Sequence, residues 1–159
     1  MANVTVRPLQ LSDFEGVRKV DDLTQHQYLQ EKWEKFSSVE KEEHLVTRRS
    51  EFNSNVQTGY GFVTIIGNEI IGFILAYENL PFRDTVYIRH IAIKPEFQGR
   101  SLGVHLFNAV IDKAKRNGIK KVWSMINLDN PKSIRLHEKL GFTLSDRKEA
   151  IFHLNRRDT

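Results

Sequence analysis

Val4-Thr5-Val6-Arg7-Pro8-Leu9 alternates apolar and polar positions, the period of a half-buried strand. Ser12 with Glu15 makes a Ser-x-x-Glu box, and Phe14, Val17, Val20 and Leu23 set the apolar stripe of the helix it starts. Asp21 to Phe36 is polar and aromatic. A second helix is predicted from Ser37 or Ser38 to about Phe52, its Glu and Lys run forming a solvated face. Gly61 to Ile66 and Ile70 to Tyr77 flank Gly67-Asn68, a hairpin with its turn residues in place. Arg83-Asp84 turns the chain into a strand from Val86 to Ile93. Leu102, Leu106, Phe107, Val110 and Ala114 then recur at helical spacing, and Gly118 ends that helix. Lys121 to Ile126 reads as a strand. Asn130 caps the next helix, Pro131 suits its first turn and Gly141 closes it. Weak alternation around Phe142 and Ile151 to Leu154 predicts a closing pair of strands. The resulting order is βααβββαβαββ, an α/β layered sheet.

Composition narrows the classes. The chain has 159 residues, 40% of them hydrophobic, which fits one domain over 1–159. No apolar run approaches the ~18 residues of a membrane span, so no membrane partner is expected. The opening Met1-Ala2-Asn3-Val4-Thr5-Val6 lacks the charged and apolar regions of a secretory signal, so a cytoplasmic location is expected. The absence of cysteine excludes disulfides, cysteine metal sites and an acyl-cysteine intermediate. The six histidines show no metal-ligand spacing, so no metal is expected. The formal charge of +4 comes from 24 basic and 20 acidic residues that interleave. No basic stripe carries regular aromatics, which argues against nucleic acid as a partner. The surplus reads as solubility charge, or as attraction for a polyanionic ligand.

The chemistry concentrates between Ile88 and Phe142. An apolar strand through Ile93 runs into Pro95-Glu96-Phe97, then Gln98-Gly99-Arg100-Ser101-Leu102-Gly103, then an amphipathic helix. A strand, an amide-rich loop and a helix N-terminus in that order suit a phosphate anion. The loop is not G-x-x-x-x-G-K-[ST] and not G-x-G-x-x-G, which removes the main support for a nucleoside triphosphatase or a nicotinamide dehydrogenase.

The loop resembles the Q/R-x-x-G-x-G/A segment of the GNAT N-acetyltransferases. Gln98 and Gly103 match it, and Ser101 stands at the family's first glycine. A small side chain fits there if the local φ is negative. Ile93-Lys94-Pro95-Glu96-Phe97 resembles the V-x-P-E-[YF] that precedes the loop. Asn130 to Phe142 resembles N-x-x-A-x-x-L-Y-E-K-L-G-F, and its Leu136-His137-Glu138-Lys139-Leu140-Gly141-Phe142 form looks like phosphinothricin-acetyltransferase-type relatives.

The resemblance implies a GNAT-like fold, a mixed, mostly antiparallel sheet flanked by helices. It implies direct transfer of acetyl from acetyl-CoA to a primary amine, with no covalent enzyme intermediate. Main-chain N–H groups of Gly99, Arg100, Ser101, Leu102, Gly103 and Val104, with Gln98, would hold the pyrophosphate. The backbone of Ile91, Ala92 and Ile93 would line the pantetheine arm. An N–H near Ile91 would stabilise the developing oxyanion. Asn130, with Ser133 in the same turn, falls where the family contacts the cofactor arm; a plain helix cap is the other reading of Asn130.

His137 occupies the place of the family's tyrosine acid, and histidine donates protons near neutral pH. A packed histidine is the alternative. Tyr87 stands where some members carry a glutamate, and alternation puts Tyr87, Arg89 and Ile91 on one face. Glu78 would reach only through water, so no base is assigned. Tyr28, Trp33 and Tyr87, with Phe36, Tyr60 and Tyr77, are the aromatics for an acceptor, either a small-molecule amine or a protein amine. The resemblance also leaves room for a homodimer. The competing reading is a non-catalytic acyl-CoA-binding module of the same fold.

Overall fold

A computed structural model describes residues 3–45, 47–81 and 83–154. Two compact units result, one ending at Met125 and the other starting at Ile126. The first carries a single sheet of β1 (Val4–Pro8), β2 (Phe62–Ile66), β3 (Glu69–Glu78), β4 (Thr85–Ile93) and β5 (Lys121–Ser124), in that spatial order. Every pairing is antiparallel except β4 with β5. The α/β class and the mostly antiparallel sheet agree with expectation.

The hairpin turn lies at Gly67-Asn68, where Ile66 pairs with Glu69 and Gly67 takes φ +62°. Val63, Phe73, Leu75 and Ala92 point to one side of the sheet. There they meet Phe14, Val17 and Val20 of α1 (Phe14–Leu29) and Phe52 of a later helix, α4 (Arg49–Thr58). The opposite side takes α5 (Leu102–Arg116), whose buried stripe is Leu102, Leu106, Phe107, Val110 and Ala114. Each large side chain so buried contributes about 1.5–3 kcal/mol relative to exposure.

Three details depart from the pattern reading. The entry to α1 is not held by Ser12 and Glu15. Asp13 does this work, accepting the Gln10 N–H at 2.8 Å and N–H groups of the two terminal guanidinium nitrogens of Arg7 at 2.7 and 2.8 Å. The predicted second helix is several pieces. Besides the short α2 (Glu31–Lys35), α3 (Ser38–His44) starts at the Ser37–Glu40 capping box and stops, and α4 follows. A tertiary contact breaks the run: buried Asp21 accepts the Thr47 N–H at 3.0 Å and its hydroxyl at 2.9 Å. The closing strand pair is absent among residues 142–154. Between Leu144 and Ile151 the segment is mostly charged and has no glycine, and it lacks the Asn-Gly or Asp-Gly pair that favours a tight hairpin. Ile151, Phe152 and Leu154 are exposed.

The second unit holds α6 (Pro131–Lys139). Asn130 Oδ1 accepts the Ser133 N–H at 3.2 Å, and Gly141 ends the helix at φ +91°. No described helix is long and apolar enough to cross a membrane.

Candidate functional site

β4 is the element around which the site is built. Its register with β3 is regular from Gly72↔Ile93 to Leu75↔His90, then skips to Ala76↔Ile88 and Tyr77↔Tyr87. Arg89 is the extra residue of a β-bulge. The bulge corrects the alternation argument. Tyr87, Arg89 and His90 all fall on the side of α1 and α4, and Ile91 falls on the other. Tyr77 meets Tyr87 edge to face at 5.6 Å, Phe73 lies 5.9 Å from the His90 ring, and Arg89 reaches Glu51 of α4 at 2.8 Å.

The bulge coincides with a second event. β5 pairs with β4 only from Thr85↔Lys121 to Ile88↔Ser124. Past that point, Arg89 to Ile93 have no strand partner on that edge among the described residues. An edge whose main-chain groups lack a strand can accept an extended amide as an added strand. Ile91, Ala92 and Ile93 lie along it.

β4 runs through a turn of 3-10 helix, Pro95–Phe97, into the loop. Gly99 takes φ +76° and Ser101 φ +61°, both left-handed. Left-handed residues in a short loop turn successive N–H groups toward a common anion. Leu102, Gly103 and Val104 follow as the first turn of α5, whose N–H groups have no carbonyl within the helix. Backbone donors and a positive helix end thus collect at the loop. Arg100 stays near, its guanidinium 5.3 Å from the Phe97 ring centre and 3.3 Å from the Glu96 carbonyl oxygen.

The condition set on Ser101 is not met, because its φ is positive. A non-glycine residue in this region costs about 1–2 kcal/mol. Ser101→Gly should therefore raise stability by about 0.5–1 kcal/mol, after the extra freedom glycine gives the unfolded chain. A thermal melt checks it, with a rise of about 2–3 °C expected.

Gln98 turns inward. Its amide N–H groups go to Ile93 O and Gln27 Oε1, both at 2.9 Å, and its Oε1 accepts from Gln27 at 3.2 Å. It braces the loop against β4 and α1.

In the second unit, Asn130 is a helix cap, as one reading of it held. Ser133 carries the partner of His137, whose Nδ1 lies 2.7 Å from the Ser133 carbonyl oxygen. A carbonyl only accepts, so Nδ1 must carry the hydrogen. Neutral His137 then has its lone pair on Nε2, and only the imidazolium has a proton to give from that nitrogen. The ring is buried, 3% exposed, and packs edge-on against Phe142 at 4.8 Å.

The aromatics named for an acceptor separate. Tyr87 joins Tyr77, and Trp123 of β5 lies 4.4 Å beyond it. Trp33 is buried against Phe36 and beneath the Lys41 ammonium. Tyr28 is exposed on α1. Tyr60 is a core residue hydrogen-bonded by Asn117. Burial raises the Tyr77 hydroxyl pKa, with smaller upward contributions from Tyr87 and Glu51 against a downward one from Arg89. Burial, and then the charge of Arg89, hold His90 at about 4. Pattern reading singled out neither His90 nor Glu51. The sequence carries no sign of the bulge, or of the contact between Glu51 and Arg89.

The comparisons with known proteins agree with this architecture. The L-methionine sulfoximine/L-methionine sulfone acetyltransferase of Pseudomonas paraeruginosa is 29% identical over 114 residues, 67% of this chain and 64% of the relative. The L-2,4-diaminobutyric acid acetyltransferase of Nocardia farcinica is 28% identical over 78 residues, 49% of this chain and 40% of the relative. The chain thus spans less than two thirds of the length of these relatives. Among solved structures, the aminoglycoside N-acetyltransferase AAC(6')-Iy in complex with CoA superposes with a TM-score of 0.68 at 20% identity, over 98% of this chain and 97% of that one. The PaiA N-acetyltransferase of Thermoplasma acidophilum, in complex with coenzyme A, does so with 0.71 at 16% identity, over 92% and 93%. These likenesses establish the fold. The model of the acetyltransferase (GNAT) family matches residues 24–142, which is most of the sequence, and the chain belongs to that family.

Proposed function

We propose that the protein is an N-acetyltransferase that moves acetyl from acetyl-CoA directly to a primary amine. The observation that carries this reading is a coincidence on β4. The strand loses its β5 partner after Ile88, and beyond its end at Ile93 the chain turns through Pro95–Phe97 into the left-handed loop at Gly99 and Ser101. An open strand edge leading to an anion cradle suits a ligand with an amide-bearing arm and a pyrophosphate. When bound, acetyl-CoA would supply the activated acetyl group as its thioester. Main-chain N–H groups from Gly99 to Val104 would bind the phosphates, and Ile91 to Ile93 would hold the arm. The Ile91 N–H would stabilise charge developing on the thioester oxygen. His137 would give the leaving sulfur a proton. The named relatives act on small amines, methionine sulfoximine and diaminobutyric acid, which favours a small-molecule acceptor.

A panel of amines scored for thiol release tests the activity. Acetyl-CoA should also raise Tm, since it would bind only the folded chain. A shift in Tm without thiol release from any amine would mark an acyl-CoA-binding module instead. The absence of both the shift and the release would defeat the reading. Gly103→Val should weaken acetyl-CoA binding by about tenfold or more, ~1.4 kcal/mol, by filling the space in front of the first-turn amides. Calorimetry checks it, and unchanged affinity would put the phosphates elsewhere.

A further inference from the structure

We propose that Glu51 on α4 receives the ammonium of the acceptor and takes its proton before acetyl transfer. This rests on the N-acetyltransferase reading. At neutral pH an aliphatic amine arrives largely as an ammonium, which has no lone pair for attack until a proton leaves. The strand at the centre of the site has no carboxylate to take it: β4 reads Thr85-Val86-Tyr87-Ile88-Arg89-His90-Ile91-Ala92-Ile93.

A carboxylate is brought to that strand from elsewhere. Glu51 stands in the first turn of α4, and Arg89 Nε donates to its Oε1 at 2.8 Å. The bulge is the cause, because regular alternation past His90 would turn residue 89 to the opposite side of the sheet. The ion pair fixes one oxygen and leaves Oε2 for a ligand. The Glu51 side chain is 25% exposed and that of Arg89 39%, so the pair is held yet reachable.

The surroundings suit a cation. The Tyr77, Tyr87 and Trp123 rings form a continuous aromatic wall on the same side of the sheet, and ring faces attract ammonium groups. Tyr77 pairs with Tyr87 on that side of the sheet, and Glu51 raises its hydroxyl pKa while Arg89 lowers it. The other charged groups near Glu51 are engaged or uncharged. Arg89 and the neutral His90 come from β4, and the phenols of Tyr77 and Tyr87 from β3 and β4. On its own helix and just before it, Arg49 covers the Phe14 ring at 3.7 Å and Arg48 donates to the Glu43 carbonyl at 2.9 Å. From α1, Asp21 is bonded to Thr47.

Three other carboxylates at the sheet are committed or misplaced. Asp13 is clamped by Arg7, and Glu69 pairs with Lys94. Glu78 alternates with Tyr77 and so leaves β3 on the opposite side.

The step balances. One N–H bond of the ammonium breaks as its proton moves to Oε2. The nitrogen lone pair forms the new C–N bond at the thioester carbon, and the C–S bond breaks. The sulfur takes a proton from the acid, which regains one from the nitrogen through solvent. Glu51 returns its own proton to solvent, so one proton is released for each amide formed.

The test compares pH profiles of kcat and kcat/KM for wild type, Glu51→Gln, Glu51→Asp and Arg89→Met, with an amine the wild type accepts. Circular dichroism and the acetyl-CoA-induced rise in Tm confirm that each variant is folded and binds the cosubstrate. Glu51→Gln should lose about 10²-fold in kcat, and its rate should climb with pH as the free amine accumulates. Glu51→Asp should recover part of the rate and keep the wild-type profile shape. Arg89→Met should raise KM while retaining that shape, because the carboxylate remains. A folded Glu51→Gln with the wild-type kcat and profile would overturn the proposal and leave Glu51 as a structural partner of Arg89. Equal losses in Glu51→Gln and Arg89→Met, both with the wild-type profile, would also overturn it. If the wild type accepts no amine, the acetyltransferase reading fails and this inference with it.

Discussion

His137→Phe is expected to slow acetyl transfer by about 10²-fold, ~2.7 kcal/mol in the barrier, while acetyl-CoA binding changes little. Phenylalanine keeps the apolar contact with Phe142 and removes the proton. The geometry sharpens the expectation. With Nδ1–H given to the Ser133 carbonyl at 2.7 Å, only the imidazolium can donate from Nε2. The Phe variant has no ring proton to give and should depend on solvent for this step. His137→Tyr should regain part of the rate, since a phenol is the acid that the family resemblance puts in this slot. Single-turnover rates are the right measure, because slow product release would hide the effect in steady-state kcat. Losing the bond to Ser133 removes about 1 kcal/mol, which circular dichroism and a melt would reveal apart from the rate. A folded Phe variant at the wild-type rate would return His137 to the role of a packed histidine.

What could be read along the chain was whatever depends on near neighbours. The Gly67-Asn68 turn needs positive φ in a two-residue loop, and the sequence provides it. The stripe from Leu102 to Ala114 repeats at helical spacing because α5 lies against one side of the sheet. The two motif segments likewise fall where expected, one as the loop opening α5 and the other as α6 with its Asn130 cap. What could not be read depends on distant partners. The break between α3 and α4 comes from Thr47 meeting Asp21, 26 residues away, and local composition favoured one helix through it.

The site divides the same way. Gly99 was legible as a turn glycine, but Ser101 hides its left-handed backbone, because serine carries no sequence signal for positive φ. The bulge at Arg89 left no mark in the alternation of β4. It nonetheless decides which side chains share a face, moving Ile91 away from Tyr87 and bringing Arg89 to Glu51, 38 residues distant in sequence. Gln98 was legible as a motif residue and illegible as a brace, since Gln27 lies 71 residues earlier.

His90 gives the largest expected pH effect on stability. Part of the residue meets solvent, but its ring lies against Phe73 and beside the charge of Arg89, and its pKa is held at about 4. In the unfolded chain the value returns to about 6.5. Between these two values the unfolded state binds a proton that the folded state does not, so stability falls as pH falls. The loss begins near pH 6.5 and is complete near pH 4, and above pH 7 this group contributes no slope. Full conversion of the shift gives ~3.4 kcal/mol, and the partial exposure of the residue reduces it to about 2 kcal/mol. Denaturant melts across pH 4–8 on wild type and His90→Leu would measure it. Carboxylates and the other histidines act alike in both proteins, so the difference between the curves isolates this residue. The variant's curve should be flatter by about 2 kcal/mol between pH 6.5 and 4. Parallel curves would mean that the imidazole takes up its proton in the folded state as easily as in the unfolded one, with the ring turned out to solvent.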